Sequence, residues 1–223
     1  MGSHPGIPFF SPIFIAGNQV KIYGGLDPVT NEGIQRAFSA QLQYSYFPIR
    51  EAELKANIEY KTIRPAEPVT IGKATITAIL LNHPVLNFGY RIDCDGQSIF
   101  FTGDYESLFN IYYPADTEYV EYQSFIDEKK NQLVNFINGV DALIVDSSYT
   151  ADEYPAKKGW GHGTYEAAIQ LAQRTKVKSL FFTHHEPTRT DQQLEAIFQA
   201  LLIKHSKLDI KLFLAQEGVD IFL

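Results

Sequence analysis

In the second half of this chain, short apolar strands alternate with amphipathic helices, and the strands stop at residues able to bind a metal or move a proton. ALIV runs into Asp146, and a helix starts at Thr164 with Tyr165, Ala168, Ile169 and Ala172 on one face. SLFFT then runs into the adjacent pair His184 and His185. Thr190 and Gln193 match a capping box, and Leu194, Ile197, Phe198 and Leu201 form the apolar stripe of the next helix. The chain closes on expected strands at IKLFLA and VDIFL. Such alternation predicts an α/β fold in which helices cover sheet faces.

Strands dominate the first half. QVKIYGG, NIEYKTI and ATITAILLN read as strands, and FGYRIDCDGQSIFFTGD reads as a hairpin turning at Asp95-Gly96. Residues 31–44, with Ile34, Phe38 and Leu42 at helical spacing, read as a helix, as do residues 124–138, which Asn138-Gly139 stops. No repeat, low-complexity tract or linker is evident, so residues 1–223 are expected to form one domain. The opening MGSH reads as a tag or a mis-start and is set aside.

Composition narrows the function classes. The chain is 45% hydrophobic, enough for a substantial core. Cys94 is the single cysteine, which excludes a disulfide framework or a zinc–cysteine cluster and points to a reducing, cytoplasmic setting. No apolar run reaches the roughly 20 residues of a membrane span. A net charge of −7 argues against nucleic acid held by a basic surface, although bound metal ions would add positive charge that this count omits.

The candidate site residues are His83 after ATITAILLN, Asp104 after SIFFTG, Asp146, His162 within GWGHGT, and His184. Rigid scaffolds display catalytic groups at such strand ends. Each also has an ordinary alternative. His83 could be a hydrogen-bonded loop residue, Asp104 a turn or helix cap, and Asp146 a turn former. His162, between glycines, could be a flexible surface residue, and His185 could only anchor its loop. The order and spacing of the set say more than any member.

That order matches a family. "LNHPVLNFGYRIDCDGQSIFFTGD", followed by "DALIVDSSYTADEYPAKKGWGHGTYEAAIQLAQRTKVKSLFFTHHEPTRTD", resembles the metallo-β-lactamase-fold hydrolases, in particular their phosphodiesterase-like branch with the tRNA 3′-processing endonucleases. The resemblance implies a metallo-β-lactamase-like αβ/βα sandwich and two divalent metal ions, zinc, manganese or iron. It implies that His83 completes the shell of one metal, that Asp104 bridges the two, and that His184 binds the other. His162 would contact the scissile phosphate and protonate the leaving group, oriented by Asp146, and His185 would support the site or touch substrate.

The family's H-x-H-x-D-H motif is not in this sequence, and His4-Pro5-Gly6 does not reproduce its spacing. With His83, Asp104 and His184 alone, each metal has two protein ligands, one of them shared, and should bind weakly. The fold is therefore expected to be N-terminally truncated, with an open sheet edge; a degenerate relative and a missing part supplied by a partner chain are the alternatives. The expected activity is hydrolysis of small phosphodiesters, with tRNA processing disfavoured because no long basic gripping insertion is evident. A homodimer is allowed. The competing readings are a non-catalytic binding or regulatory module of the same fold, and a thioester or lactone hydrolase.

Overall fold

The computed structural model describes residues 7–27 and 29–222. The MGSH segment and His4 lie outside the described residues. Expected as one domain over 1–223, the chain divides into two compact units, Met1–Val69 and Thr70–Leu223.

The first unit contains strands β1 (Gln19–Gly24) and β2 (Asn57–Thr62), paired in parallel from Gln19↔Asn57 to Gly24↔Thr62. A parallel pair needs a crossover connection. Helix α1 (Ile34–Gln41) lies in that connection, shorter at both ends than the apolar spacing suggested. Phe38 and Leu42, one helical turn apart, are buried with Ile13, and Val20, Ile22, Ile58 and Tyr60 of the strands pack against them.

The second unit, whose boundary at Thr70 falls within the first of these strands, is built on a seven-stranded sheet in sequential order: β3 (Pro68–Ile71), β4 (Ala74–Leu81), β5 (Asn87–Cys94), β6 (Gln97–Phe101), β7 (Ala142–Asp146), β8 (Ser179–Thr183) and β9 (Lys211–Leu214). β4, β5 and β6 are antiparallel neighbours, whereas β6 to β9 are parallel. Helices α2 (Tyr119–Ile137), α3 (Tyr165–Thr175) and α4 (Asp191–Lys204) connect the parallel strands. The β5–β6 turn falls at Asp95-Gly96 with both residues at positive φ, 49° and 82°, as a tight hairpin requires.

Strand alternation sorts the side chains into two rows. Arg91, Phe100, Leu143, Leu180 and Leu212 lie in register on one face. On this face Leu133 and Ile137 of α2, Ala168 and Ile169 of α3, and Leu201 of α4 close the core. Full burial of one such side chain stabilises the fold by about 1.5–3 kcal/mol. Gly89 makes room for Phe100, since a Cβ there would approach Phe100 Cζ to 2.4 Å. Arg91 is not out of place among them: its guanidinium donates to the Phe136 carbonyl near the end of α2 and pairs with Asp93.

The α/β class and the strand–helix alternation are as read from sequence. Three details differ. α2 begins at Tyr119, ahead of the expected start at 124, and β3 was not anticipated. The expected closing strand VDIFL is not one over its described residues: Val219, Ile221 and Phe222 are exposed and unpaired in any ladder. Apolar composition alone does not make a strand without a partner edge.

Candidate metal centre

Strand direction explains why distant residues meet. β6, β7 and β8 are parallel, and β4 runs the same way because two antiparallel steps separate it from β6. The C-terminal ends of these four strands therefore share one edge, where the chain presents His83, Asp104, Asp146 and His184 in turn. This edge is the usual display surface of a parallel sheet. His162 arrives from the connection between β7 and α3, two residues before the helix-capping Thr164, whose hydroxyl accepts from the Ala167 amide.

Asp104 is buried, and its two oxygens face different histidines. Oδ1 lies 3.3 Å from His184 Nδ1, and Oδ2 lies 3.8 Å from His83 Nε2. The turn that carries it is strapped from below. Asn87 Nδ2 donates to the carbonyls of Thr102 and Asp104. His83 Nδ1 lies 3.0 Å from the Val85 carbonyl and 3.2 Å from the Val85 amide nitrogen, which leaves Nε2 on the side of Asp104. A buried carboxylate between two imidazoles is a donor set that fits a divalent cation.

Asp146 is fully buried and differently engaged. Its Oδ2 accepts from the Tyr105 amide at 3.0 Å and faces His162 Nδ1 at 2.7 Å, while its Oδ1 lies near the Ser148 hydroxyl and the Gly163 amide. Single ligand atoms of Asp104, Asp146, His162 and His184 all lie within 4.8 Å of one another. This quartet still divides by chemistry. Asp146 spends its oxygens on donors within the protein, and His162 spends Nδ1 on Asp146, so neither is as available to a cation as Asp104 or His184. The Asp146 hydrogen bond holds the His162 pKa above its ordinary value, against the opposing effect of burial, and the negative charges of Asp146, Asp104 and Glu106 add to the rise.

His184 has a left-handed backbone, with φ 57°. Such a conformation is uncommon outside glycine and persists where the surroundings enforce it. The Ser148 hydroxyl lies 2.5 Å from the His184 carbonyl and bridges the ends of β7 and β8. The His162 and His184 rings stack at 4.4 Å between centroids. His185 turns elsewhere: it is half-buried, its Nδ1 is 3.5 Å from the Tyr165 hydroxyl, and burial lowers its pKa.

Sequence reasoning missed Glu106. Its carboxylate is almost fully buried and accepts from the Tyr154 hydroxyl at 2.6 Å, the Gly159 amide at 2.8 Å and the Gly161 amide at 2.9 Å. Burial, followed by this carboxylate, pushes the Tyr154 pKa up. Glu106 thereby fixes the GWGHGT segment that carries His162. Gly161 (φ 96°) lies directly against His83: a Cβ there would come within 2.4 Å of His83 Cδ2. No local motif marks Glu106, because two of its three donors are backbone amides.

Comparison with known proteins places this arrangement. The uncharacterized protein Rv1339 of Mycobacterium tuberculosis (strain ATCC 25618 / H37Rv) is 29% identical over 124 residues, 55% of this chain and 36% of that protein. The metallo-beta-lactamase fold protein YhfI from Bacillus subtilis has a similar structure, with TM-score 0.59 at 18% identity over 90% of this chain and 64% of that one. Human tRNase Z, short form, gives TM-score 0.52 at 16% identity over 89% and 66%. The chain thus spans about a third of its curated relative and under two thirds of these structures. The family model described as Beta-lactamase superfamily domain matches residues 27–185, from before α1 to the His184–His185 pair. The chain belongs to the beta-lactamase superfamily, whose metallo-β-lactamase-fold members are metal-dependent hydrolases.

Proposed function

We propose that this chain hydrolyses small phosphodiesters with the help of divalent zinc, manganese or iron. The observation that carries this reading is the His162–Asp146 pair, 2.7 Å between Nδ1 and Oδ2, beside the Asp104 carboxylate. A carboxylate-held imidazolium suits both an anionic phosphate and an oxygen leaving group. With Nδ1 committed, Nε2 is the nitrogen that carries the transferable proton. As the oxygen of water bonds to phosphorus, the P–O bond to the alcohol breaks and Nε2 gives its proton to the departing oxygen. The proton released by the attacking water restores the imidazolium. Asp104, His83 and His184 would hold the ions, which supply Lewis acidity at the phosphoryl oxygens and lower the pKa of the attacking water.

The fold likeness to tRNase Z, an RNA-cleaving enzyme by its name, supports phosphodiester over thioester or lactone chemistry. The acidic balance and the lack of a long basic insertion favour small substrates over tRNA. A cytoplasmic setting, inferred from the single cysteine, belongs to the same proposal.

Metal analysis of the purified chain, joined to turnover of bis(p-nitrophenyl) phosphate with added zinc or manganese, tests the proposal. Bound metal, loss of turnover in Asp104→Ala and a fall of about 100-fold or more in His162→Ala are expected. A folded chain with neither metal nor turnover overturns it.

A further inference from the structure

Bordering His83 is a cavity of about 220 Å³. Leu108, Phe109 and Ile111, from the segment between β6 and α2, line it together with Tyr122 of α2 and Gly159 of the His162 loop. Its polar lining is internally satisfied. Glu106 spends its carboxylate on Tyr154, Gly159 and Gly161, and the Asn82 amide donates to the Glu106 carbonyl. The larger part of the surface left to a ligand is aliphatic and aromatic.

The aromatic part of this surface is rigidly backed. Tyr122 stacks on Phe125 at 5.9 Å, 24° from parallel, and meets Tyr112 edge to face at 5.5 Å. The Lys158 ammonium lies 4.1 Å from the centre of the Phe109 ring, and the adjacent Lys157 lies over Trp160 at 4.2 Å. A ligand with a flat ring matches this aromatic lining.

We infer that the cavity walled by Phe109 and Tyr122 is a subsite for a planar aromatic group esterified to the phosphate that His162 and Asp104 face. The inference rests on the proposed phosphodiester reading and adds the chemistry of one ester group. His83 fixes the connection, because it forms a wall of the cavity and also faces Asp104. A ring seated against Phe109 and Tyr122 leaves its phosphate toward that carboxylate and its histidines, whereas a methyl ester leaves the cavity empty.

Trp160, the single tryptophan, adjoins the cavity-lining Gly159 and is a built-in fluorescent reporter. Phenyl phosphate and methyl phosphate are titrated against the zinc-supplemented chain, its Phe109→Leu variant, which keeps bulk and loses the ring, and Phe109→Trp, which keeps a ring. Phenyl phosphate is expected to bind about tenfold tighter than methyl phosphate, the scale of one aromatic stacking contact. The preference should vanish in Phe109→Leu and persist in Phe109→Trp. Equal binding of the two probes, binding of neither, or an unchanged preference in Phe109→Leu overturns the subsite. Turnover of bis(p-nitrophenyl) phosphate, followed in parallel, shows separately whether the phosphodiesterase reading stands.

Discussion

His162 and His184 stack ring on ring, 4.4 Å between centroids and 18° from parallel, so the imidazole assigned to proton transfer lies against one assigned to a metal. What distinguishes His162 is the buried Asp146 carboxylate bonded to its Nδ1. That bond raises the His162 pKa, so the imidazolium survives to higher pH than in a free histidine. A group with a raised folded pKa stabilises the fold fully below its unfolded pKa, and the contribution is lost as pH rises through the folded value. Asp146→Asn should move the His162 titration to lower pH, read directly by NMR of the imidazole in the metal-free chain. The alkaline fall in turnover should move down with it. A titration that stays in place would show that Asp146 does not set the state of His162.

Asp104 gives one oxygen to each of two histidines, which makes it the residue whose loss disconnects the centre. A ligand that binds only the folded state raises stability by RT ln(1 + [L]/Kd), about 2.7 kcal/mol at a hundredfold excess over Kd. Zinc should therefore raise the melting temperature of the unmodified chain and leave that of Asp104→Asn where it was. Equal shifts in both would place zinc elsewhere.

Glu106 holds the backbone of the His162 loop through the amides of Gly159 and Gly161. Glu106→Gln keeps the shape but exchanges an acceptor oxygen for a donor, leaving at least one buried amide without a partner at a cost of about 1–3 kcal/mol. Hydrogen exchange at Gly159 and Gly161 should rise. Misplacing His162 lowers kcat by up to about 100-fold. Unchanged exchange at both glycines would refute the strap.

Gly89 is where β5 yields to Phe100, and an added methyl would also meet Leu81 Cδ1 at 2.8 Å. Gly89→Ala should lower stability by about 1–3 kcal/mol through overpacking. The midpoint of urea unfolding checks this, and a midpoint at or above the original would mean that Phe100 relocates freely.

The sequence displayed these features unequally. His83, Asp104, Asp146 and His184 were legible because each terminates an apolar run, and His162 because glycines flank it in a family pattern. Thr190 with Gln193 announced α4 because a capping box is written in side chains. Glu106 was not legible: its partners are 48, 53 and 55 residues away, and amides leave no letter in a sequence. β3 is only four residues long and opens on a proline, so its pairing is a matter of tertiary context. VDIFL shows the converse, since β-formers without a partner edge form no strand over the described residues.

The contact between Gly161 and His83 joins two parts of the centre that are far apart in the chain. The loop bearing His162 reaches its place because position 161 has no side chain, and a Cβ there would fall within 2.4 Å of His83 Cδ2. A substitution at 161 thus also displaces His83. Bulk at position 161 therefore requires the His83–Pro84 segment to move, which couples two positions 78 residues apart in the sequence.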